Sequence, residues 1–139
     1  MKIISGTVEF QGDEYDYRAE LNNPGTDSWP DRVLDLDCSD GTALPDGVDW
    51  EAIEELALQN AWLLDWCERN GWELEDSGGG CSALVKSRGD KTMRVTRKGE
   101  PIAPQTMSEA VEAGVYDREG RLIGSLASYD GGIAEVRVG

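Results

Sequence analysis

The strictest constraint on the fold lies in the first hairpin-sized stretch of the chain. Ile4, Gly6, Val8 and Phe10 alternate with more polar neighbours, as do Tyr15, Tyr17, Ala19 and Leu21 with Asp16, Arg18 and Glu20. A period of two sends alternate side chains to opposite faces, so both stretches are predicted as half-buried strands. Gln11-Gly12-Asp13-Glu14 lies between them, and Gly12 suits the first central position of a two-residue type II′ turn. Counting outward from Gly12-Asp13, Phe10 faces Tyr15, Val8 faces Tyr17, Gly6 faces Ala19 and Ile4 faces Leu21. Every apolar residue then falls on one face, and Glu9 stands opposite Asp16.

Asn22-Asn23-Pro24-Gly25 breaks the second strand. A third is expected over Arg32–Asp37, with Leu34 and Leu36 inward and Asp35 and Asp37 outward. Asp49 is a good helix N-cap, with Val48 before it and Ile53 at the staple position, and Gly71 suits a left-handed C′ residue. The helix between them carries Ile53, Leu56, Ala57, Leu64 and Cys67 on one apolar face. Trp72-Glu73-Leu74 is expected to begin a further strand.

Ser77-Gly78-Gly79-Gly80 reads as a joint. Pieces of under about 80 residues seldom build a stable core alone, so one domain of two lobes is expected: an acidic βββα lobe over 1–76 and a β-rich lobe over 81–139. In the second lobe, Ser82–Arg88 and Lys91–Lys98 flank a Gly89-Asp90 hairpin turn. Val111, Ala113 and Val115 alternate toward Tyr116, and Asp117-Arg118-Glu119-Gly120 forms a type I turn with a glycine bulge. The chain returns through Leu122, Ile123 and Leu126, and Ile133–Val138 is read as a last strand. Thr106-x-x-Glu109 also fits a capping box, which sets a short helix over 107–113 against a strand from Ala110; the strand is preferred. The fold class is α+β, an antiparallel three-stranded sheet with one long helix joined to a mainly antiparallel second lobe.

Composition narrows the chemistry. The 139 residues include no histidine, which removes Ser-His-Asp and Cys-His catalysis and histidine-ligated metals. Three cysteines, Cys38, Cys67 and Cys81, form no C-x-x-C pair, so neither a disulfide framework nor a zinc knuckle is expected. The opening residues have no signal-peptide pattern and no stretch has membrane-spanning length, which predicts a cytoplasmic protein with no membrane contact. Net charge is −15, and it is unevenly placed. Residues 1–80 hold 20 acidic and 4 basic side chains; residues 81–139 hold 8 and 9.

Three features are candidates for function. Glu9, Asp13, Glu14, Asp16 and Glu20 on the first hairpin, Asp35 and Asp37 on the third strand, and Glu51, Glu54 and Glu55 on the helix make the first lobe negative. Like charges opposed across strands destabilise a sheet, which points to a surface kept for a basic partner rather than for stability. Solubility or salt adaptation is the plain alternative, but the acid stops at residue 80. Leu58, Trp62 and Trp66 form a second helix stripe at i, i+4, i+8 spacing, suited to burial by the second lobe or to a partner. Lys86, Arg88, Lys91, Arg94, Arg97 and Lys98 cluster in the second lobe, and serve to offset the acid rather than to contact nucleic acid directly. The aspartates from Asp35 to Asp40 only brush against a calcium-loop pattern, with glycine one place late at Gly41. Arg88-Gly89-Asp90 is explained as a turn, and no phosphate-loop or dinucleotide pattern appears.

These features lead to a non-enzymatic binding module without cofactor, monomeric or homodimeric. Its acidic face would occupy the positive surface of a nucleic-acid-handling protein as an anti-restriction or anti-CRISPR decoy does, an analogy of charge and size. An assembly subunit using the Trp62/Trp66 face is the alternative. A hydrolase using paired carboxylates or a metal held around residues 35–46 is the third.

Overall fold

The structure, a computed structural model, describes residues 2–21, 31–44, 46–78 and 80–136. It is α+β, with a three-stranded antiparallel sheet, one long helix and a separate five-stranded antiparallel sheet. The chain divides into two units, Met1–Trp66 and Cys67–Gly139, so the boundary falls near the end of the helix. The expected break at Asn22–Gly25, and Trp29, lie outside the described residues.

In the first unit, β1 (Lys2–Phe10), β2 (Asp13–Leu21) and β3 (Arg32–Cys38) pair in sequence order. The hairpin faces match the alternation, but the register differs by two residues. Val8 pairs with Tyr15, Gly6 with Tyr17 and Ile4 with Ala19, and the turn residues are Gln11 and Gly12. Both have positive φ, 52° and 86°, as a type I′ turn requires. The physical reason lies at Gly6. A Cβ there would come within 2.7 Å of the Tyr17 hydroxyl, so the residue without a side chain stands opposite the ring that needs the space. A shift of two leaves every face unchanged. It does change the charge pairing: Glu9 opposes Glu14, and Asp16 opposes Thr7.

A bulge between Arg18 and Ala19 places Asp35 opposite Arg18 and Val33 opposite Ala19, leaving Leu34 as the extra residue. Val33, not the expected Leu34, therefore packs against the core beside Leu36. α1 (Trp50–Asn70) lays Ile53, Ala57 and Ala61 on the apolar face of the sheet, against Ile4, Val8, Tyr15, Tyr17, Ala19 and Leu21. Asp49 caps it, its carboxylate accepting the Ala52 amide at 3.1 Å. At the other end Gly71 has φ 78°, and the Trp72 amide donates to the Cys67 carbonyl at 2.8 Å, a Schellman closure.

The second unit is a meander of β4 (Glu73–Gly78), β5 (Cys81–Arg88), β6 (Lys91–Arg97), β7 (Val111–Tyr116) and β8 (Leu122–Tyr129), paired in sequence order. Gly78 pairs with Cys81, so Gly78 and Gly80, part of the run read as a joint, lie at the β4–β5 hairpin of this sheet. Leu84, Val95 and Ala113 line up across the central strands and are buried. The Gly89-Asp90 turn and the Asp117–Gly120 bulged turn are as predicted, with the Asp117 carboxylate accepting the amides of Glu119 and Arg121. Residues 107–110 form no helix. The Glu109 carboxylate still turns back to the Gln105 and Thr106 amides, and β7 then begins at Val111. The expected last strand is instead a single 3-10 turn over Ile133–Glu135 among the described residues. Gly132, at φ 100°, breaks the extended path, and the Glu135 amide bonds back to its carbonyl.

Candidate functional site

The outer face of the three-stranded sheet, opposite α1, carries Glu9 on β1, Glu14, Asp16, Arg18 and Glu20 on β2, and Asp35 and Asp37 on β3. This face has two halves. Toward the chain-crossing end, Arg18 reaches Asp35 at 2.6 Å and Arg32 reaches Glu20 at 3.2 Å, both exposed ion pairs. Toward the β1–β2 turn, Glu9 faces Glu14 and Asp16 faces Asp37, with no basic residue in register. The unit's remaining cation, Lys2, is on the apolar face, 2.6 Å from the buried Asp65 carboxylate. Strand geometry spaces the acidic side chains about 4.8 Å apart across strands and about 6.8 Å along them.

Asp16 anchors this acidic half. Its Oδ1 accepts the Ser39 hydroxyl at 2.7 Å and the Thr7 hydroxyl at 2.8 Å, tying β1, β2 and the exit of β3. Those hydroxyls, Ser39 first, hold the Asp16 carboxyl below its ordinary range, so it stays ionised beside Asp37. An open hollow of about 470 Å³ adjoins it, lined among others by Asp13, Glu14, Ser39, Asp40 and Thr42. Asp40 also titrates below its ordinary range, because its carboxylate accepts the Thr42 hydroxyl and amide. Among the described residues no group of three or more histidine, cysteine or carboxylate side chains is placed to hold a metal ion.

The fold thus brings Glu9, Glu14, Asp16 and Asp37 to one end of one sheet face, while Asp13, opposite Phe10, belongs to the other face and meets this end only at the hollow, where Asp40 joins it. Glu20 and Asp35 share the face but belong to its compensated half. Glu51 and Glu55 are exposed on α1, in the layer behind the sheet. The tryptophan stripe is uneven: Leu58 packs on the first unit's core, Trp62 is 45% exposed and Trp66 is half-buried. The Trp62 indole N–H donates to Asp31 at 2.7 Å.

Most of the basic cluster is engaged within the second unit. Arg94 pairs with Glu75 at 2.6 Å, Arg97 with Glu109 at 2.9 Å and Lys98 with Asp130 at 3.3 Å. Lys86 donates to the Asn70 carbonyl and lies 5.8 Å from the Trp72 ring centre. Arg88 and Lys91 face each other, exposed, at the hairpin end. Among the described residues no helix is long and apolar enough to cross a membrane. No family model matches the chain, and no curated protein or solved structure matches it either.

Proposed function

We propose that the chain is a non-enzymatic binding module whose acidic sheet face docks on the positively charged groove of a nucleic-acid-handling protein. The observation that carries this reading is the half-face on which Glu9 opposes Glu14 and Asp16 opposes Asp37 without a basic residue in register. Stability alone favours opposite charges across strands, and the neighbouring half of the same face has them. An array of carboxylates on one sheet face suits a surface that otherwise holds phosphates, where lysine and arginine lie in rows. Hydrogen bonds from Thr7 and Ser39 fix the Asp16 carboxylate before any partner arrives, which lowers the ordering cost of binding.

The test is affinity capture on the immobilised chain at low and high salt, with captured proteins identified by mass. The reading expects a nucleic-acid-binding protein that duplex DNA or RNA displaces. It also expects that protein to be lost when Glu9, Asp13, Glu14, Asp16 and Asp37 become amides together. Capture that survives both high salt and the amide variant overturns it, because charge complementarity acts through salt-sensitive association.

A second reading rests on Trp62, whose large side chain stays 45% exposed on α1. Exposed tryptophans are frequent anchors of protein interfaces. In that case Trp62→Ala, and not the amide variant, abolishes capture.

A further inference from the structure

The two edges of the five-stranded sheet differ in kind. β4 carries Glu73, Glu75 and Asp76, charges of the sort that keep an edge strand from pairing with another chain. β8 reads Leu-Ile-Gly-Ser-Leu-Ala-Ser-Tyr, with no charge and no proline. Among the described residues it is hydrogen-bonded to β7 alone, and Leu122, Ile123 and Leu126 are 42%, 44% and 53% exposed. A bulge at Gly124 interrupts its ladder to β7, but the pairing is regular again over Ala127–Tyr129.

The strand's ends carry opposite charges. Arg121 precedes it, exposed, and its backbone is held by Asp117 through a 2.9 Å bond at the amide and another at the carbonyl. Asp130 follows it, paired with Lys98 at 3.3 Å and with a side chain still 84% exposed, which leaves room for a second cation. We infer that β8 is a self-complementary edge on which a second copy of this chain pairs antiparallel about a twofold axis. That arrangement brings each Arg121 to the partner's Asp130 end, closing the uncharged strands between two opposite-charge contacts. Parallel pairing would set arginine beside arginine and aspartate beside aspartate. A twofold interface needs one patch that complements itself, and the oppositely charged ends of this edge do so. Residues 81–139, which include β8, carry 8 acidic and 9 basic side chains, so their own net charge does not oppose pairing.

The test is molar mass by light scattering across a dilution series of the full chain. The wild-type chain is expected to pass from dimer to monomer on dilution. Arg121→Asp alone and Asp130→Arg alone each raise the dimer dissociation constant by about tenfold or more, since each opposes like charges twice. The double variant, R121D with D130R, recovers the wild-type constant, a rescue that a merely structural effect would not give. Leu126→Lys, at an exposed position, yields a folded monomer by circular dichroism. A wild-type chain that stays monomeric at every concentration overturns the inference. So does a dimer indifferent to the charge variants, or one that Trp62→Ala alone dissolves.

Discussion

The Tyr17 hydroxyl donates to the Asn60 side-chain carbonyl at 2.6 Å, in the buried layer between β2 and α1 of the first unit. Both side chains are over nine-tenths buried, and the contact joins residues 43 apart in sequence. The ring reaches Asn60 only because Gly6, opposite Tyr17 in register, leaves room beneath it. A buried polar atom that loses its partner costs its full desolvation, which is larger than the net gain of an average hydrogen bond. Tyr17→Phe is therefore expected to lower stability by about 1–3 kcal/mol in urea unfolding. Gly6→Ala, which drives a methyl into the phenol, is expected to cost a similar amount, about 1–3 kcal/mol.

The same burial makes stability fall in alkali. Burial pushes the Cys67 thiol up to about 12 and raises the Tyr17 phenol as well. Both groups bind their proton more tightly folded than unfolded, so their contribution is complete below the unfolded values. It is lost as pH rises through the folded ones. For Cys67 the window opens near the ordinary thiol value of 9.0 and runs to about 12. Unfolding midpoints measured from neutral pH upward should decline first through this window, and Cys67→Ala should remove that first part of the slope. A flat profile in the wild-type chain would refute the assignment.

Asp16 gives the opposite dependence at the acid end. Its folded carboxyl titrates below the unfolded value because Ser39 and Thr7 hydrogen-bond the charged form. What it contributes is present above the unfolded pKa, about 3.9, and is lost as pH falls through the folded one. The double variant Thr7→Val, Ser39→Ala should move the Asp16 titration, followed by carboxyl-carbon NMR, back up toward ordinary aspartate. An unchanged titration would mean that the two hydroxyls do not hold it.

How much of this was legible in the chain depends on the range of the interaction. Faces were legible because alternation is local: Ile4, Val8, Tyr15 and Tyr17 turn inward whichever residues make the turn. Register was not, since a slip of two preserves every face, and the observed pairing depends on the fit of Gly6 under Tyr17 and on Gln11 taking a positive φ in the turn. Turn chemistry at Asp117–Gly120 and the caps of α1 were legible for the same local reason. Val33 replacing Leu34, and the division of the acidic face, depend on a bulge at Arg18/Ala19 that has no sequence signature. The run of glycines suggests a joint, yet Gly78 and Gly80 lie at a hairpin, and composition does not distinguish these uses. Lys2 and Asp65, 63 residues apart, had no signal except that a buried aspartate on a helix needs a partner.

The acidic half-face carries its own thermodynamic mark. Glu9 and Glu14 stand opposite each other, as do Asp16 and Asp37, and both pairs lie on the solvent side of the sheet. Repulsion between exposed charges is screened within a Debye length of about 8 Å at physiological ionic strength and about 3 Å at 1 M. The first unit should accordingly gain stability as salt is added, in contrast to a surface held by ion pairs. Glu14→Gln, which removes one opposed charge without changing shape, should stabilise the chain by about 0.2–1 kcal/mol at low salt. That gain should shrink toward zero as salt rises. Asp35→Asn, made as the control, breaks the Arg18 pair on the compensated half and should be neutral or slightly destabilising at low salt. Unfolding curves for the three chains at two salt concentrations decide the matter. If Glu14→Gln destabilises at low salt, the charge opposition is not a cost to folding, and stability offers no reason to regard the face as kept for a partner.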